Sequence, residues 1–189
     1  MSSMESAENA IRDLGFYHEE DATVGAKIST MLQQRLNPLS KEGLEFYEAN
    51  VLNDSRIRPI LDSFFLPSFY VMARYANFSN DAGHRFLYLR GASNGLFEVP
   101  FAALERAGCG EGTPINFDQG GITIQDASIA FEIVEGAFNA TIFATEDLAS
   151  KWPQMVLPDT PDVRKKVDEI MGAELGLHAR FETKQAPTG

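Results

Sequence analysis

The sequence predicts an α+β fold: an N-terminal helical layer packed on a mainly antiparallel sheet, with a C-terminal helix. Three observations predict it. Apolar residues recur every three or four positions through the first part of the chain. The period shortens to two between residues 85 and 144, and a helix start at Thr160-Pro161-Asp162 follows. Helices come first, strands next and a helix last, which is not the pattern of alternating βαβ units. The 189 residues, 44% of them hydrophobic, suit one domain over 1–181 and exclude a wholly disordered chain. Within it the helical part spans 1–78, the sheet part 85–144 and the last helix 161–175, leaving 182–189 as a flexible polar tail.

Each element has its own signal. Met4, Ala7, Ile11 and Leu14 make one face of a first helix, and Gly15 follows as its stop. A second helix is expected over 21–36, with Val24, Ile28, Met31/Leu32 and Leu36 on one face, ended by Asn37-Pro38. Ser40 caps a third helix through Leu52, whose buried stripe is Leu44, Tyr47 and Val51. Pro59 suits the first turn of a fourth, which Pro67 kinks or divides before Tyr75. Phe64, Phe65, Leu66, Phe69, Tyr70, Val71 and Met72 surround that helix and place it centrally in the core. The sharper reading of residues 64–75 is a homodimer or partner interface.

The later elements read as strands. Residues 85–90 and 96–99 form a hairpin around Ser93-Asn94-Gly95, since Asn-Gly is a strong turn signal. A short helix over 101–107 follows, then strands over 115–117, 122–125, 128–134 and 138–143. Thr145 offers a capping hydroxyl to a short helix, and Val163, Val167, Ile170, Met171 and Leu175 form the inward face of the last one.

Composition narrows the chemistry. A single cysteine, Cys109, excludes a disulfide framework, a multi-cysteine zinc site and an iron–sulfur cluster. With 16 Lys+Arg against 27 Asp+Glu, the net charge of −11 disfavours nucleic acid, whose phosphates call for clustered bases. No secretory leader pattern and no apolar run of spanning length is legible, so the expected location is the cytoplasm, with no membrane partner.

Gly91-Ala92-Ser93-Asn94-Gly95 matches the G-x-S-x-G spacing that exposes a nucleophilic serine in α/β-hydrolases. Asp147 or Asp159 would supply the acid and His178 or His84 the base. That motif must open a helix, however, whereas residues 96–99 read as a strand, and the hairpin explains the same glycines. Cys109 follows a helix C-terminus, where the dipole raises a thiol pKa, the reverse of what a nucleophile needs. His18-Glu19-Glu20-Asp21 and Asp81-Ala82-Gly83-His84 offer ligand atoms without a two-histidine spacing, so no metal and no cofactor is expected.

Charge is the remaining signal. Residues 1–54 carry −6 and residues 109–162 carry −8, while the segments after them carry +2 (55–108) and +1 (163–189). This unevenness favours a non-enzymatic cytoplasmic protein-binding module of inhibitor, immunity or adaptor type, recognising a basic partner protein through an acidic face. Asp118, Asp126, Glu132 and Glu135 are the expected partner-binding residues. The alternatives are a small serine hydrolase using Ser93, or a small-molecule-binding domain built on residues 64–75.

Overall fold

The computed structural model describes residues 3–79, 86–91, 95–100, 118–126 and 137–183. In chain order its elements begin with α1 (Ser3–Leu14), β1 (Phe16–Glu20), α2 (Ala22–Gln33) and α3 (Lys41–Tyr47), the last continued by a π-helical turn (Glu48–Leu52). Next come α4 (Ile57–Phe65), β2 (Tyr70–Ser79), β3 (Phe86–Gly91), β4 (Gly95–Pro100), β5 (Gly121–Gln125) and β6 (Ala137–Thr145). The chain continues with α5 (Glu146–Ala149), β7 (Met155–Pro158), α6 (Pro161–Ile170), β8 (Leu175–Leu177) and β9 (Ala179–Glu182). The class is α+β. Two compact units share these elements: residues 1–34 with 77–139, and residues 35–76 with 140–189. The helices of 1–78 are therefore divided between the units, and the boundaries fall inside β2 and β6.

In the first unit, α1 buries Ala7 and Ile11 but leaves Met4 and Leu14 at its ends exposed. Gly15 ends it at φ 86, a left-handed conformation that costs glycine nothing, and its N–H bonds the Ile11 carbonyl at 2.9 Å. β1, which the sequence reading left unassigned, pairs antiparallel with β5 from Phe16↔Gln125 to Glu20↔Gly121. Asp21 then caps α2, accepting from the N–H groups of Thr23 and Val24. The helix stops at Gln33, short of the expected 36, because Arg35 turns left-handed at φ 48. β3 and β4 form an antiparallel hairpin closing at Gly91↔Gly95.

Among the described residues the second unit holds the larger core. Ser40 caps α3 through the Gly43 N–H, and Leu44 and Tyr47 are fully buried. The next buried residue is Leu52, not the expected Val51. A π-helical turn adds a residue to the turn, which carries the inward face from the i+4 to the i+5 position. In α4, Ile60 and Leu61 turn inward.

The largest correction lies beyond α4. The expected helix to Tyr75 is absent: Leu66 is extended at ψ 144, the Leu66–Pro67 peptide is cis, and β2 begins at Tyr70. The residue before a proline is pushed out of the helical region, and Tyr-Val is a strand former. Tyr70 and Met72 point into the main cluster with Leu44, Tyr47, Leu157 and Val167, and Val71 and Ala73 point to a second one with Ala144 and Ala149. This two-faced burial accounts for the unbroken apolarity of residues 70–73. It also removes Tyr70 to Ala73 from any exposed interface.

The sheets are mixed. β2 lies between β6 and β8, running parallel to β8 with Tyr70↔Leu175, and β7 runs parallel to β9. The last helix ends at Ile170, so Leu175 is buried from β8 instead of from a helix. Thr160 caps it as expected, through the Val163 N–H at 3.4 Å. Thr145 precedes α5, but its hydroxyl makes no capping bond. Glu182, expected as the first tail residue, closes β9. The expected helix over 101–107, the strands over 115–117 and 128–134, and residues 184–189 lie outside the described residues.

Candidate functional site

The β1–β5 ladder carries two of the four acids that the sequence reading proposed, Asp118 and Asp126, one beside each of its ends. Paired residues in an antiparallel ladder point to the same side. Phe16, His18 and Glu20 thus share a face with Gln125, Thr123 and Gly121, and His18 and Glu20 are exposed on it. Tyr17 and Glu19 point the other way with Ile124 and the buried Ile122, and the Tyr17 hydroxyl donates to Glu19. On the exposed face the Phe16 and His18 rings stack with centroids 6.1 Å apart.

Asp118 and Asp126 stand at opposite ends of this ladder, both exposed. The Asp118 N–H donates to Glu20 Oε1 at 2.9 Å, and the Asp126 N–H donates to the Gly15 carbonyl at 2.7 Å. About 14 Å of strand separates the ladder's two ends. The Asp118 end is locked onto α2: the Asp21 N–H donates to the Gly120 carbonyl at 2.8 Å. A Cβ on Gly25 would lie 2.0 Å from the Gln119 carbonyl oxygen, so backbone meets backbone there.

Charge sorts sharply between the units. The first carries 14 Asp+Glu and 5 Lys+Arg, a net −9; the second carries 13 and 11, a net −2. Five bases cannot neutralise fourteen acids, whatever pairs they form. In the second unit, Lys41, Arg56, Arg58, Arg164, Lys165, Lys166 and Arg180 each pair with an acid of the same unit. Lys166, only 9% exposed, reaches Glu48 at 2.9 Å and Glu169 at 2.7 Å. Its hydrogen bonds to Glu169 and then Glu48 raise its pKa, which keeps the amine charged and unsuited to nucleophilic attack. The Arg56 hydrogen bond holds Asp54 below the usual carboxylate range, and burial followed by the bond to Asp62 pushes the Tyr70 phenol up.

The residues of the hydrolase alternative come out differently. Ser93 and His84 lie outside the described residues, as do Cys109, Glu132 and Glu135. The strand β4 begins at Gly95, where a nucleophile elbow needs a helix. His178 sits between β8 and β9 with Nε2 3.1 Å from the Trp152 carbonyl. A carbonyl only accepts, so Nε2 carries the proton and tethers the ring, which leaves Nδ1 as its acceptor nitrogen.

Glu20 is absent from the four partner-binding residues that the sequence predicts, because the strand that carries it, β1, is not among the expected elements. The signal was present. Phe16-Tyr17, bounded by Gly15 and the Asp21 cap, leaves five residues rich in strand formers. Among the described residues no group of three or more His, Cys, Asp or Glu is placed to hold a metal ion, and no helix is long and apolar enough to cross a membrane. Comparison of the chain with protein-family models, with curated proteins and with solved structures finds no match.

Proposed function

We propose that the protein is a non-enzymatic cytoplasmic protein-binding module, of inhibitor, immunity or adaptor type, whose acidic unit recognises a basic surface on another protein. The observation that supports this is the net −9 of the first unit, beside a net −2 in the second, where seven of eleven bases pair with acids of the same unit. Uncompensated charge of one sign steers an oppositely charged partner and repels nucleic acid phosphates. The exposed face of Phe16, His18 and Glu20, with Asp118 and Asp126 at its ends, is the proposed contact surface; Glu132 and Glu135 belong to the same proposal. The single cysteine accords with a reducing compartment.

The test is kinetic. Once a partner has been captured, association is measured at low and high salt for the wild type and for Asp118→Lys combined with Asp126→Lys. The double variant should associate about tenfold more slowly at low salt and show a flatter salt dependence. Asp168→Lys, a charge reversal on the second unit, should leave the on-rate near the wild-type value. Equal on-rates and salt slopes in a folded double variant would sink the proposal.

A further inference from the structure

We draw no further inference here: the strongest candidate, the exposed apolar turn at the C-terminal end of α4 that carries Phe64 and Leu66, carries nothing because nothing in the structure shows what covers it.

Discussion

Gly25 and Gly120 show how much a single missing methyl group decides. Gly120 holds φ +99, and a Cβ there would lie 2.3 Å from the Gly25 Cα. Gly25→Ala forces α2 away from the 118–120 loop and should cost about 1–3 kcal/mol, as overpacking does. Gly172→Ala meets nothing within 4 Å and should change stability by less than about 0.5 kcal/mol. Urea unfolding followed by circular dichroism checks both; equal effects would contradict the close approach. Tyr70 is the corresponding residue of the second unit. It stacks on Phe65 at 4.7 Å while its hydroxyl donates to Asp62 Oδ1 at 2.7 Å. Asp62 also accepts from Arg58 Nε at 2.9 Å. Tyr70→Phe keeps the stack and loses the bond, so it should cost about 1–2 kcal/mol. Denaturation followed by Trp152 fluorescence reads this directly, because that residue is the only tryptophan and lies in the same unit.

At the scale of elements, burial alternates where pairing demands it. In β7, Met155 and Leu157 are buried while Val156 and Pro158 are half-buried. Leu157→Ala should therefore cost about 2–5 kcal/mol, and Val156→Ala clearly less. Chemical denaturation of the two variants checks the order, and a larger loss at Val156 would mean that β7 is turned over. Neither β7 nor β8 was legible in the sequence, since four and three residues are too few to display a period. The π-helical turn misled in another way. A helical stripe presumes a constant 3.6-residue turn, and one wider turn carried the buried face from Val51 to Leu52.

For the whole molecule, the uneven charge gives acid a definite effect on the second unit. Hydrogen bonds from Arg56, Arg164 and Lys166 hold Asp54, Asp159 and Glu169 below their ordinary values of 3.8, 3.8 and 4.5. A carboxylate with a lowered folded pKa binds protons more readily when unfolded. Its stabilisation is complete above the ordinary value and is lost as pH falls through the folded one. The second unit should consequently keep its stability down to about pH 4.5 and lose it progressively below. Trp152 fluorescence during thermal melts between neutral pH and about pH 3 follows this loss. Arg56→Met and Lys166→Met together should flatten the profile, and an undiminished slope in that variant would refute the assignment.

What the sequence by itself determined is local. The Ser40 cap, the helix start at Thr160, the Gly15 stop and the inward face of Val163, Val167 and Ile170 could be read in advance, as could the strands flanking residues 92–94. A cap or turn is completed within about four residues, so its chemistry is contained in the stretch being read. Only the tertiary structure decided that residues 70–79 form a strand, that β7 and β9 run parallel, and that five of the sixteen bases fall in the unit that holds fourteen acids. Tyr70 takes its partner, Leu175, from more than a hundred residues away, and an apolar run buried on both faces suits a helix and a central strand alike. Charge shares this dependence. The counts of 27 acids and 16 bases are in the sequence, but the shortage of bases, five beside fourteen acids, arises only when residues 1–34 and 77–139 form one unit.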